Sequence, residues 1–180
     1  MLALIVIVAL VIIGLYNRLV RLRNTVRSSW SDIDVQLKKR YNLIPSLVET
    51  VKGYSKHERE LLEKVTQARA GAIAARTPGE TAVHEQQLVA GLRNLMVAVE
   101  AYPDLKANQN FLDLQKQLQA IETDIEHARR YYNAVVRDYN TSIETFPAVL
   151  LASMLGFKPE DFFELDDPGT MRKPIRPDFS

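Results

Sequence analysis

The chain opens on a stretch, Met1 to Tyr16, that carries no charged residue and is almost wholly aliphatic, with Leu2, Ile5, Val6, Ile7, Val8, Leu10, Val11, Ile12 and Ile13 in near succession. From Leu15 a second pattern takes over. Apolar residues recur at Leu15, Leu19, Leu22, Val26, Trp30, Ile33, Leu37, Tyr41, Ile44, Val48 and Val51. Their steps of three and four average about 3.6 residues, the period of one α-helical face. The spacing predicts that the opening apolar helix runs on into an amphipathic one that Gly53 ends. Pro45 falls inside the pattern, where it lacks an N–H and its ring crowds the carbonyl of Tyr41, so a kink or short break is expected there.

Three further helices follow by the same reasoning. Ser55-Lys56-His57-Glu58 has the form of a capping box, serine at the N-cap and glutamate three residues on. The helix it introduces carries Leu62, Val65, Arg69 and Ile73 before Thr77-Pro78-Gly79 turns the chain. A third helix is predicted from about Glu80, with Leu88, Leu92, Leu95 and Val99, and stops at Tyr102-Pro103-Asp104. A fourth begins near Asn110 and shows Phe111, Leu114, Leu118, Ile121, Ile125, Ala128, Tyr132, Val135, Tyr139, Ile143 and Phe146 in alternating threes and fours, until Pro147 closes it. At a rise of 1.5 Å per residue, the soluble part of the first helix and the whole fourth each reach about 55 Å, and the second and third about 33 Å. Short connections make neighbours antiparallel. The fold expected is all-α: an N-terminal transmembrane helix continuing into an antiparallel four-helix-bundle-like domain with two long and two short helices. The short pair packs far from the membrane, and the long pair forms a stalk near it.

Residues 16–25 and 132–141 echo each other, with Tyr16 and Tyr132, Asn17 and Asn133, Val20 and Val136, Arg21 and Arg137, Asn24 and Asn140, and Thr25 and Thr141 in register. Both segments carry asparagines seven apart beside the apolar seam, where buried amides would set register. After Pro147 the stretch 148–157 has no charge and is too short to span a bilayer. It either caps the bundle or lies at the bilayer interface. Lys158-Pro159-Glu160-Asp161-Phe162-Phe163 reads as a short helix with proline near its start, and the proline-rich polar residues from Asp166 as a disordered tail. The divisions expected are an anchor over 1–17, a bundle over 18–165 and a tail over 166–180.

Composition narrows the function more than it names one. The net charge of +1 and the absence of an aromatic-interleaved basic patch give no basis for nucleic-acid binding. With no cysteine, disulfides, thiolate metal sites and cysteine nucleophiles are all excluded. The anchor covers about 25 Å against a hydrocarbon core of about 30 Å, and the stretch lacks the basic lead and small-residue cleavage site of a signal peptide. Arg18, Arg21, Arg23 and Arg27 follow it with no acidic residue until Asp32. By the positive-inside rule they place the bundle in the cytoplasm and the N-terminus outside, and they are the candidate contacts to anionic headgroups.

No catalytic apparatus is visible. A di-iron bundle requires Glu-x-x-His from two helices, whereas Asp124-Ile125-Glu126-His127 gives only a loose Asp-x-x-His, and His57 and His84 have no acid three residues earlier. Phosphate-loop, zincin and nucleophile-elbow motifs are missing. No cofactor or metal is expected. Tyr131, Tyr132 and Tyr139 suggest packing more than a site, since the last two lie on the seam.

Several stretches resemble the LemA family: Tyr16-Asn17 through Asn24, Trp30 through Arg40, Leu43 through Tyr54, Ala68-Arg69-Ala70, Tyr102 through Lys106, Tyr131 through Asn140, Phe146-Pro147 and Gly156-Phe157, together covering about residues 16 to 164. The resemblance implies a bacterial inner-membrane protein with one N-terminal span and a helical domain. It implies no activity and carries over no functional residue. Some relatives in magnetosome-forming bacteria are implicated in membrane shaping. Two functions are therefore expected in order: a non-enzymatic, membrane-anchored scaffold presenting its bundle to protein partners, including a second copy in a homo-oligomer, or a lipid-engaging, membrane-shaping protein that uses the four arginines and the 148–157 segment.

Overall fold

The computed structural model describes residues 1–54 and 58–164; Ser55 to His57 and the expected tail lie outside the described residues. The described part is all-α: α1 (Leu2–Tyr54), α2 (Arg59–Ala74), α3 (Pro78–Val99), the short α4 (Pro103–Lys106), α5 (Gln109–Glu144) and the short α6 (Val149–Ala152). Helix α1 runs 53 residues without interruption, about 80 Å. Its first part leaves Leu2, Ile5, Leu10 and Ile13 exposed, and it is long and apolar enough to cross a membrane. Beyond that point one seam goes inside: Leu19, Val26, Ile33, Leu37, Tyr41, Ile44 and Val51 are buried. Helix α1 packs along α5, α2 packs against α3, and α1 also meets α2.

Helix boundaries follow their capping chemistry. At α3, Thr77 accepts a hydrogen bond from the Glu80 amide at 3.2 Å while the Glu80 carboxylate accepts one from the Arg76 amide at 3.0 Å. That is close to a capping box, and it starts the helix at Pro78, two residues before the predicted point. At α5, Asn108 accepts from the Phe111 amide at 3.1 Å, satisfying one of the free amides of the first turn. The expected cap at Ser55 lies outside the described residues; Glu58, expected inside α2, instead immediately precedes it and makes no side-chain cap. Helix α2 is thus 16 residues, about 24 Å rather than 33 Å. Two seam assignments also fail, since Ile73 and Phe146 are exposed. Helices α2 and α3 approach closely at two glycines: a methyl group on Gly91 would meet Val65 Cγ2 at 3.2 Å, and one on Gly71 would meet His84 Nδ1 at 2.8 Å.

Pro45 does not break α1, and the reason is visible. Having no N–H, it leaves the Tyr41 carbonyl without its helical partner. Arg69 of α2 fills the gap, its Nε donating to the Tyr41 carbonyl oxygen at 2.7 Å. The defect in one helix becomes a docking point for the next.

Residues 158–163 are not the short helix their proline suggests. They form an extended strap lying on α5 and running antiparallel to it. Asn140 donates to the Glu160 carbonyl and accepts from the Glu160 amide, both at 2.9 Å. Asn133 does the same with Phe163, at 3.1 and 2.9 Å. Tyr139 donates to the Lys158 carbonyl at 2.9 Å and Tyr132 to that of Asp161 at 2.8 Å. The asparagines seven apart therefore read a peptide segment instead of pairing with their echo in α1, where Asn17 and Asn24 are exposed.

The Arg69 contact generates a double-mutant test. Arg69→Met should cost about 1.5–3 kcal/mol, the range for a hydrogen bond to a charged group. The cost should shrink in a Pro45→Ala background, where the alanine amide restores the helical bond. Thermal unfolding of the four variants measures this, and strictly additive losses would show that Arg69 does not serve the Tyr41 carbonyl.

Candidate functional site

Two regions of the surface combine defined geometry with chemical character. The first is a cleft between α3 and α5. Helices α1 and α5 pair closely, as do α2 and α3, but α3 and α5 stand apart. The gap opens as two adjoining hollows of about 380 and 480 Å³ that share Val89, Arg93 and Glu122. Leu92, Met96, Leu118 and Ile125 line it with apolar surface, and Arg93, Glu122, Glu126 and Arg129 supply charge of both signs.

Beneath the cleft lies a buried polar cluster. Arg40 of α1 and Glu85 of α3 are both fully buried, at 0% exposure, and are ion-paired through Arg40 Nη2 and Glu85 Oε2. Arg40 Nη1 also donates to Glu122 Oε2 of α5 at 2.6 Å, and the Tyr41 hydroxyl donates to Glu85 Oε1 at 2.5 Å. One guanidinium thus bridges the two helices that do not otherwise close on each other. Burial pushes the Tyr41 hydroxyl up to about 12, against the opposing pull of Arg40, so it remains a donor at neutral pH. Among the described residues, Arg40 Nε has no hydrogen-bond partner.

The second region is the collar where α1 leaves its apolar stretch. Arg18, Arg21 and Arg27 are exposed there. Arg23 is not presented with them. It is half-buried, with its guanidinium carbon 4.9 Å from the centre of the Phe157 ring, a cation–π contact. Phe157 also meets the Tyr16 ring edge-on at 5.9 Å. Higher up, Trp30 packs on Tyr132 at 5.5 Å and on Phe163 at 5.3 Å. Tyr132 and Tyr139 lie in the core, as their seam positions require, whereas Tyr131 is exposed. Burial raises the Tyr132 hydroxyl to about 12 and that of Tyr139 in the same direction, which keeps both protonated as donors to the strap.

His84 and His127 share no cluster: among the described residues no group of three or more His, Cys, Asp or Glu side chains converges as a metal site would require. His57 lies outside the described residues.

The LemA family model matches residues 29–179, most of the chain beyond the anchor. The chain belongs to the LemA family. It is 29% identical over 137 residues to Protein LemA of Metamycoplasma hominis, covering 76% of this chain and 63% of that protein. It is 23% identical over 175 residues to Magnetosome protein MamQ 2 of Paramagnetospirillum magneticum, covering 83% of this chain and 64% of the relative. Magnetosome protein MamQ of Magnetospirillum gryphiswaldense is 24% identical over 174 residues, with 82% and 64% covered. The chain thus spans somewhat less than two thirds of the length of these curated relatives. Membership of the LemA family and the apolar first part of α1 together make this a membrane-associated helical protein.

The buried pair yields a sharp energetic expectation. Arg40→Met strands Glu85 as an uncompensated buried charge and should cost about 3–5 kcal/mol. Replacing both residues, Arg40→Met with Glu85→Leu, should recover most of that loss. Chemical denaturation of the detergent-solubilised variants decides the matter; a double variant no more stable than the single one would mean that the pair does not compensate itself.

Proposed function

We propose that this LemA-family chain is a non-enzymatic, membrane-anchored scaffold, and that the cleft between α3 and α5 receives a helical segment of a protein partner. The observation that carries this reading is the cleft itself, a trough of mixed apolar and charged lining between two helices held apart by a buried ion cluster. Trough lining from Val89, Leu92, Met96, Leu118 and Ile125 suits the apolar face of an amphipathic helix, and Arg93, Glu122, Glu126 and Arg129 suit its charged flanks. The positive residues after the span support a cytoplasmic position for the bundle on the inner face of a bacterial cell membrane.

A photoreactive amino acid at Val89, introduced in cells, tests the cleft. It should give a discrete crosslink to another protein, or to a second copy in a homo-oligomer, in intact membranes. The same probe at exposed Lys64 on α2 should not, and Leu118→Arg should abolish the product. A chain that crosslinks to nothing from Val89, or equally from both positions, overturns the scaffold reading.

Orientation is tested separately, because a chain without cysteine makes single-site labelling clean. With Lys116→Cys, a membrane-impermeant maleimide should label only after cells are lysed. Labelling of intact cells would place the bundle on the other side.

A further inference from the structure

The charge-free segment between α5 and the strap has two faces. Ala148, Ala152 and Phe157 are buried against the interior of the α1–α5 pair. Phe146, Leu150 and Met154 point the other way and are 75%, 62% and 82% exposed, with Val149 and Leu155 partly exposed beside them. A segment tacked down by one face cannot turn its apolar side inward. In water, a cluster of this kind marks a site of contact.

Position says what the contact is. Leu15, Arg18 and Leu19 of α1 border the same crevice as Thr145, Phe146 and Ala148, and Phe157 meets Tyr16. The exposed cluster therefore stands at the height where the apolar first part of α1 ends and its arginines begin. It extends sideways the exposed apolar surface of Ile12, Ile13 and Tyr16. No charged side chain occurs from Met1 to Asn17 or from Thr145 to Phe157; Arg18 and Arg21 follow the first stretch, and Glu144 and Lys158 bound the second. Aromatic and basic residues at such a boundary are the pattern of a membrane–water interface.

We infer that Phe146, Leu150 and Met154 insert into the boundary between headgroups and acyl chains in the leaflet from which α1 emerges. The chain then holds the bilayer at two points, a span and a shallow apolar foot beside it. The depth expected is that of an interfacial apolar element, about 5–10 Å below the headgroups. The foot fixes the rotation and tilt of α1 relative to the membrane plane, which a single span leaves free. This inference rests on the reading of residues 2–17 as a span and is independent of the partner proposed for the cleft.

The full-length chain, reconstituted in vesicles of phosphatidylcholine and phosphatidylglycerol, provides the test. An environment-sensitive fluorophore is placed in turn on Met154→Cys, Leu150→Cys, Val8→Cys and Lys116→Cys, and quenched by lipids spin-labelled near the headgroup or deep in the acyl chain. Probes at 154 and 150 should be quenched preferentially by the shallow label, the probe at 8 by the deep one, and the probe at 116 by neither. If 8 is quenched but 150 and 154 behave like 116, the foot is refuted and the span stands. If 8 also escapes quenching, the span itself fails. Fluorescence at 154 that escapes lipid quenching but varies with the protein-to-lipid ratio would assign the cluster to a second copy of the chain and overturn the inference.

Discussion

The rest of the structure answers to one constraint: α1 is a single unbroken helix that is apolar on every face in its first part and amphipathic beyond it. In its first part every face is apolar, a surface suited to lipid. Past Arg18 only one stripe may be, and it has to be covered. A lone partner helix cannot cover it fully, because two packed helices leave grooves on either side of their contact. Here the strap and the residue before it close one of those grooves, with Phe157 and Phe163 buried. Burying two such rings removes about 150–250 Å² of apolar surface each from water. The stalk is therefore a three-stranded structure in which one strand is extended peptide.

What lets an extended chain lie in register on a helix is a coincidence of rises. Seven residues of α5 separate Asn133 from Asn140, about 10.5 Å at 1.5 Å per residue. Three residues of strap separate Glu160 from Phe163, about 10 Å at 3.3 Å per residue. Each asparagine amide can then act as a peptide group would in a sheet, donating to a carbonyl and accepting from the amide of the same residue. The tyrosine preceding each asparagine reaches a strap carbonyl two residues earlier, with the same spacing of three. A heptad on the helix thereby reads a triplet on the strap. Slipping the strap by one residue would break all of these bonds together, so this device sets register more strongly than apolar packing alone.

The long seams were legible because period is a property of consecutive residues, and α1 and α5 are long enough for the period to accumulate. The short helices are harder to read, since Glu58 precedes α2 instead of lying inside it and Ile73 is off the buried face. Arg40 and Glu85 do leave a trace in the sequence. Arg40 lies three residues after Leu37 and four before Ile44; Glu85 lies four after Thr81 and three before Leu88. Each is a charge standing in an apolar seam, and the two signs are opposite. The strap was illegible for another reason. Pro159 and its acidic neighbours look like a helix start locally, and only the tertiary placement of Asn133 and Asn140 shows that the backbone groups of Glu160 and Phe163 have better partners elsewhere. The echo between residues 16–25 and 132–141 was real in sequence, yet only its second copy found a peptide to bind.

The two ends of the bundle follow opposite strategies, and that asymmetry gives the scaffold reading its physical content. At the end next to the apolar part of α1, strap, aromatic rings and side-chain-to-backbone bonds leave little freedom, so the direction of α1 is fixed by its surroundings. Farther out, α3 and α5 are joined through one guanidinium while a trough of mixed lining lies open beside it. Arg40 stands 22 residues beyond Arg18, about 33 Å farther along α1. A buried ion cluster is a poor source of stability compared with apolar side chains of the same volume. Its value lies in the geometry it enforces: satisfying both Glu85 and Glu122 from a single arginine holds α3 and α5 at one separation, where an all-apolar junction would let them collapse together and erase the trough.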